Sequence, residues 1–378
     1  MLLIAYNDGA DCPGVAPADV AQMLGIDDYE ILLGWTNASH WWIDTERGIA
    51  TMANFAVGRG VKDGRYAYMP IRLSSIPAYF RDVRRPEAVV IAGVPRGDGY
   101  AFKGTVGWGP AAAMLANSVV VEVDTEAPDL GGPMIPGNIV ATVPCANPGL
   151  PPAPPRDLDD IDMAVAANVV PLLPDDATIQ IGPGGIAEAI LLELTKPVQV
   201  WSGVITDAIG ELEPRGLLTG DVTTGYVWGG EPLVALAALG RLNLLPAEVT
   251  HNAAEIAARD RFVALNAALQ VGLDGSINIE RVGSRVVSGM GGHADFCLGA
   301  SQSAGGSSII ALRSATRKGH STIVPVVDVV STPRTDVDFV VTEHGVADLR
   351  GATDAVRRAR LILVAAPEHR TMLDEFAG

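Results

Sequence analysis

Two glycine-rich loops and one histidine are the parts of this chain best suited to chemistry. The first loop, Gly182-Pro183-Gly184-Gly185-Ile186-Ala187, separates a strand-like run (177–181) from a helix-like one (186–194). Glycine amides at a helix N-terminus make an anion site, because no side chain blocks their approach and the helix dipole favours negative charge. The same six residues fit a Gly-x-Gly-x-x-Ala dinucleotide fingerprint, with Asp207 at about the expected spacing. Taken alone that match would suggest NAD, although one such match is weak. The second loop, Ser288-Gly289-Met290-Gly291-Gly292-His293-Ala294-Asp295-Phe296, sets His293 among backbone donors. A histidine near its reference pKa acts as a general base at neutral pH; a surface or hydrogen-bonding role is the plainer alternative. No Gly-x-Ser-x-Gly elbow occurs, and His320 and His344 have no partners at metal-ligand spacing, so no metal is expected.

The elements that must position these loops are short. Runs such as 88–92 and 118–123 are continuously apolar and alternate with helical stretches such as 110–116. Such strands are buried on both faces, which predicts parallel sheets and an α/β fold. The rhythm repeats later: helix 161–173, strand 177–181, helix 186–194, strand 198–202, then strands 308–312, 323–327, 337–341 and 361–365. No repeat between the two halves is visible in the residues themselves. A proline-rich seam, Pro144-Cys145-Ala146-Asn147-Pro148-Gly149-Leu150-Pro151-Pro152-Ala153-Pro154-Pro155, can hold neither a helix nor a central strand. It divides the chain into an N-terminal domain, 1–150, and a C-terminal domain, 151–378. Asp157, Asp159, Asp160 and Asp162 follow, suited to the first turn of a helix. Trp35, Trp41 and Trp42 cluster near the start; core packing is the default for them, a wall for a bulky group the alternative.

Composition excludes several classes. The 378 residues carry 27 basic and 44 acidic side chains, a net charge of −17, which argues against a nucleic-acid or anionic-membrane surface. No run nears the length of a membrane span, and the start lacks the form of a signal peptide. Cys12, Cys145 and Cys297 are far apart and odd in number, which fits a reducing, cytoplasmic setting.

Four ordered segments carry a family resemblance. They are 67–100, with Ala67-Tyr68-Met69-Pro70 and Gly93-Val94-Pro95-Arg96-Gly97-Asp98-Gly99-Tyr100; 175–186, holding the first glycine loop; 288–296, the second; and 340–351, Val340-Val341-Thr342-Glu343-His344-Gly345-Val346-Ala347-Asp348-Leu349-Arg350-Gly351. Together they resemble the acetyl-CoA hydrolase/CoA-transferase family of the class I CoA-transferase superfamily. That likeness runs from about residue 65 to the end and leaves the first sixty residues unaligned. It implies two open α/β domains with mostly parallel sheets, CoA-transferase-like, with the active site in the cleft between them. It implies coenzyme A, met as an acyl-CoA substrate, a small carboxylate or water as the second substrate, and a homo-oligomer. The residues it would place against CoA or a tetrahedral oxyanion are Gly182, Gly184, Gly185, Gly291, Gly292, Asp295, Glu343, His344, Gly345 and Arg350. Arg334 and Arg350 would contact CoA phosphates, or else pair with Asp336 and Asp348.

The family works through a glutamate that attacks the thioester, giving an anhydride and then a glutamyl-CoA thioester. Here Asn266, Gly275 and Asn278 keep the register of that segment, and the glutamate position is Gln270. The neighbouring aspartate position is Gly272, and Asp274 belongs to an Asp-Gly turn. An amide is a very poor nucleophile compared with a carboxylate. Three readings follow: a divergent enzyme, with His293 activating water for thioester hydrolysis or for cleavage of a C–C bond in a β-keto-type ester; a catalytically silent CoA-binding or regulatory protein; or a partner chain that lends a glutamate.

Overall fold

The computed structural model describes residues 1–38, 40–153, 155 and 157–376. The first half contains β1 (Leu2–Tyr6), β2 (Tyr29–Leu33), β3 (Gly48–Ala50), β4 (Tyr66–Tyr68), β5 (Ala88–Arg96), β6 (Gly99–Phe102), β7 (Ser118–Val123) and β8 (Ile139–Pro144). They form one sheet in the order β4-β3-β2-β1-β5-β7-β8, with β6 turned back antiparallel on β5. The rest is parallel, as the continuous apolar runs predict: Ala88 to Val94 are all buried.

The second half holds β9 (Thr178–Ile181), β10 (Val198–Thr206), β11 (Leu218–Trp228), β12 (Leu242–Leu244), β13 (Phe262–Asn266), β14 (Gln270–Gly272), β15 (Ile277–Asn278), β16 (Arg281–Val282), β17 (Arg285–Val286), β18 (Ser307–Ala311), β19 (Ile323–Val324), β20 (Phe339–Thr342) and β21 (Gly345–Asp348). Its large sheet runs β12-β11-β10-β9-β13-β18-β20-β21, antiparallel only at the last pair. The two sheets share a strand order: three strands are laid to one side of a first central strand, and the rest to the other. The halves are therefore alike in topology where their residues show no repeat.

An excursion from the second sheet makes a three-stranded sheet, β15-β14-β19, in which Gln270 stands opposite Asn278. One apolar core joins the halves, with Ile91, Phe102 and Trp108 in the same cluster as Ile205, Tyr226 and Leu244. Separate cores lie under the outer face of the first sheet, around Tyr6, Trp42 and Tyr66, and under the excursion, around Val271, Ile277 and Leu361.

Segment 361–365, expected as a strand, closes the helix Asp354–Val364 instead. Leu361 and Val364, three apart, are buried while Leu363 is exposed, the pattern of one helical face. A short apolar run does not by itself distinguish these alternatives. The acidic stretch after the proline seam does begin a helix, Asp160–Val169, and the Asp159 carboxylate caps it by accepting from the amides of Ile161 and Asp162. Pro154 of that seam and Arg156 just after it lie outside the described residues. Among the described residues no helix is long and apolar enough to cross a membrane, and no group of three or more His, Cys, Asp or Glu is placed to hold a metal ion.

Candidate active site

The strand order of the second sheet reverses between β9 and β13. In open parallel sheets the crevice beyond the carboxyl ends of such a pair is where ligands bind. Gln180 on β9 and Asn266 on β13 seal the base of the crevice by exchanging amide hydrogen bonds, at 3.1 and 3.3 Å. Beyond them, Gly182, Pro183, Asn266 and Ala267 line two cavities at once, one on each side.

The first cavity, about 450 Å³, opens over the glycine loop. Gly184 has φ +146° and a Cβ there would meet nothing within 4 Å, so the loop faces open space. The helix Gly185–Glu193 starts from it, and Gly185, Ile186 and Ala187 of its first turn line the cavity. Arg313 and Arg317 supply the positive charge on its wall. Arg313 is held by Asp159 at 2.8 Å and Asp162 at 2.7 Å, and exposed Arg317 lies 3.4 Å from Asp157. Neither arginine was singled out from the sequence, since no spacing signal marks them.

The second cavity, about 310 Å³, is built by both halves. Trp35, Met52, Asn54, Phe55 and Leu73 enter from the first; Trp228, His251, Ile279, Phe296 and the loop Ser288–His293 belong to the second. That loop is pressed between the halves. A Cβ on Gly289 would stand 2.7 Å from the carbonyl oxygen of Thr51, and one on Gly292 would stand 2.2 Å from the His251 ring. These glycines are thus required by close approach. Behind the loop, buried Asp295 accepts from the Ser74 hydroxyl at 2.7 Å, tying the halves together, and burial pushes its carboxyl up to about 6. A second tie runs from the Tyr68 hydroxyl to buried Glu280 at 2.6 Å.

His293 begins the helix His293–Gln302. Its Nδ1 lies 2.9 Å from Thr332 Oγ1 and 3.5 Å from Cys297 Sγ, while Nε2 is buried without a partner. Burial pulls its pKa down to about 4 against a smaller upward pull from the Ala267 backbone, so the ring is neutral at pH 7. Asn54 Oδ1, on the same cavity wall, is also buried and unpartnered. His251, which carries no motif and went unmarked in the sequence, is held at Nδ1 by Thr250 and pulled down by burial to about 3.

Gln270 lines neither cavity. Its Oε1 accepts from Asn278 Nδ2 at 2.6 Å and from the Asp328 amide at 3.1 Å; its Nε2 donates to Asp328 Oδ2 at 3.1 Å. It connects to His293 through the small sheet: Ile277, beside Asn278, bonds the backbone of Thr332, whose hydroxyl meets His293. Glu343 fixes the loop at Arg313–Ala315 from behind, accepting from the amide and hydroxyl of Ser314 at 2.9 and 2.6 Å. Its neighbour His344 lies 3.7 Å from it, and Gly345, φ +131°, turns the β20–β21 hairpin. Arg350 is taken up by Asp348 at 2.8 Å and stacks over Phe339, and Arg334 pairs with Asp354 rather than Asp336; neither arginine lines the cavities.

A doubled α/β fold with a glycine loop at a helix start, opening beside a chamber built by both halves, is the arrangement that the CoA-transferase resemblance implies. The comparisons agree: residues 236–377 match the acetyl-CoA hydrolase/transferase C-terminal domain. The chain is 33 % identical to the 4-hydroxybutyrate coenzyme A transferase of Clostridium kluyveri, covering 84 % of this chain and 78 % of that protein. It is 30 % identical to the butyryl-CoA:acetate CoA-transferase of Anaerostipes caccae, covering 83 % and 76 %. Among solved structures, RipA from Yersinia pestis superposes with a TM-score of 0.85 at 23 % identity over all of this chain and 93 % of that one, a likeness of fold. The chain belongs to the acetyl-CoA hydrolase/CoA-transferase family.

Proposed function

We propose that this protein hydrolyses an acyl-CoA thioester with His293 as general base. The observation that carries the reading is the His293 ring: neutral, fixed at Nδ1 by Thr332, and set in the wall of a chamber shared by both halves. The glycine loop and Arg313 and Arg317 suit the phosphates of CoA, and that cavity adjoins the chamber across the residues they share, Gly182 and Ala267 among them.

In this reading Nε2 takes a proton as the water oxygen attacks the thioester carbon. The amides of Gly291 and Gly292 face the developing oxyanion. Collapse breaks the C–S bond, the imidazolium returns its proton to sulfur, and a carboxylic acid and free CoA thiol leave. Gln270 stands where the family's glutamate is expected and contributes no carboxylate; its amide holds the Asp328 loop.

The test is thiol release from a panel of acyl-CoAs by the wild-type protein and by His293→Gln. The expected loss in kcat is about 10²-fold or more. An unchanged rate in the variant removes His293 from the mechanism. Product that forms only when a carboxylate acceptor is added makes the enzyme a transferase, and CoA binding with no turnover of any substrate makes it a silent binder. Release of a shortened acyl-CoA identifies C–C cleavage instead.

A further inference from the structure

We infer that the acyl group accepted by the chamber is aromatic, or an equally bulky and uncharged apolar group. This rests on the chamber being the acyl site. Trp35, Phe55 and Trp228 form a mutual aromatic wall: centroid separations are 5.9 Å for Trp35–Phe55, 5.5 Å for Trp35–Trp228 and 5.4 Å for Phe55–Trp228, the last pair edge-on. These lie in the range where ring quadrupoles attract.

The wall is anchored from below. Trp35 and Trp228 are 6 % and 5 % exposed, and Trp228 Nε1 donates to the Pro152 carbonyl at 2.8 Å, which fixes the plane of its ring. Phe55 is different. It is 51 % exposed and its backbone is held at φ +49°, the left-handed region that a ring-bearing residue rarely adopts. Folding alone does not reward an aromatic side chain kept half in water on an unfavourable backbone. A flat apolar ligand lying against it would cover that exposed face.

The remaining lining sharpens the class. Met52, Met290 and Phe296 add apolar or polarizable surface, and methionine fits itself to irregular shapes. Among the described residues no Arg, Lys, Asp or Glu lines the chamber, so a second carboxylate on the acyl chain would be buried without a counter-charge. An acetyl group would leave most of the 310 Å³ unfilled.

The experiment compares kcat/KM for phenylacetyl-CoA, acetyl-CoA and succinyl-CoA in the wild type and in Phe55→Ala. It adds calorimetric binding of non-hydrolysable thioether analogues of the same three to His293→Gln, which reports recognition even where turnover is absent. The expected result is tighter binding of the aromatic analogue by about tenfold or more, the scale for burying one ring. The aromatic-to-acetyl ratio should then fall by about tenfold in Phe55→Ala. Equal or tighter binding of the acetyl or succinyl analogue overturns the inference, as does a Phe55→Ala variant that keeps the ratio. Aromatic-selective binding without hydrolysis keeps the inference and removes the hydrolase reading; hydrolysis with acetyl preference does the reverse.

Discussion

Thr332 Oγ1 lies 2.9 Å from Nδ1 of His293, and this contact fixes the ring of a histidine in the chamber wall. Thr332 is itself held through its backbone amide by the carbonyl of Ile277. The orientation of the histidine is therefore set by the small sheet that carries Gln270, and not by the glycine loop in which His293 is found.

Thr332→Val keeps the shape of this residue and removes its hydroxyl. One ordinary hydrogen bond contributes about 1 kcal/mol, and each 1.36 kcal/mol of barrier is tenfold in rate. The expectation is a drop of about five- to tenfold in kcat with a smaller change in KM, measured by steady-state thiol release. A change in KM alone would make Thr332 a packing residue.

The acid limb of the pH–rate profile should fall near pH 4, since burial depresses the His293 pKa to about 4 from an ordinary 6.5. A limb at about 6.5 would mean that the ring is solvated or that another group is titrating.

Stability should respond to acid through His251, which is 2 % exposed and depressed to about 3. The unfolded chain binds this proton near pH 6.5 and the folded chain does not. The stabilisation is thus complete above pH 6.5 and is lost as pH falls toward 3, by on the order of a few kcal/mol. The acid sensitivity of the urea midpoint between pH 7 and pH 5 should be smaller in His251→Phe than in the wild type; His293, depressed to about 4, keeps a share of the same sign, and Asp295, raised to about 6, one of the opposite sign.

Gln270→Glu tests the amide's present role. Nε2 donates to the Asp328 carboxylate at 3.1 Å, so a glutamate there sets two carboxylates together. Asp328 is exposed, so the expected effect at neutral pH is a loss of about 1 kcal/mol or less of stability, recovered by adding Asp328→Asn. If the position is the family's nucleophile site, the double variant should also form a borohydride-sensitive acyl adduct. Full stability in the single variant would show that the Gln270–Asp328 bond contributes nothing.

Ser74→Ala removes the hydroxyl donor to Asp295 and leaves that carboxylate buried. A loss of about 1–3 kcal/mol is expected. Because Ser74 favours the charged carboxylate, the deficit should grow as pH rises through about 6 and shrink below it. A deficit independent of pH would assign the effect to packing.

Much of this site was legible in the residues. The glycine loop at 182–185 does stand between a strand and a helix, and 288–296 does bring a histidine to a helix start, because short-range patterns of glycine and apolar residues are enough for local structure. Trp35, named among clustered aromatics, lines the chamber, while nearby Trp42 is core and Trp41 is exposed. Spacing of one residue cannot separate those fates; only the packing partner does. The run 361–365 shows the same limit, since its helical face is defined by the core it meets.

By itself the sequence determined the α/β class, the parallel strands and the family, since continuous apolar runs and glycine loops are local signals that survive without a structure. Only the tertiary structure decided what surrounds each reactive group. It paired Arg350 with Asp348 and put Arg313 and Arg317 at the anion loop instead. It turned Gln270 toward Asp328 and away from both cavities, and it left His293 Nε2 without a partner. The reason is physical: charge state and hydrogen-bond satisfaction depend on atoms far away in the chain, as Asp295 depends on Ser74, 221 residues before it, and burial, which no spacing records, sets their energies.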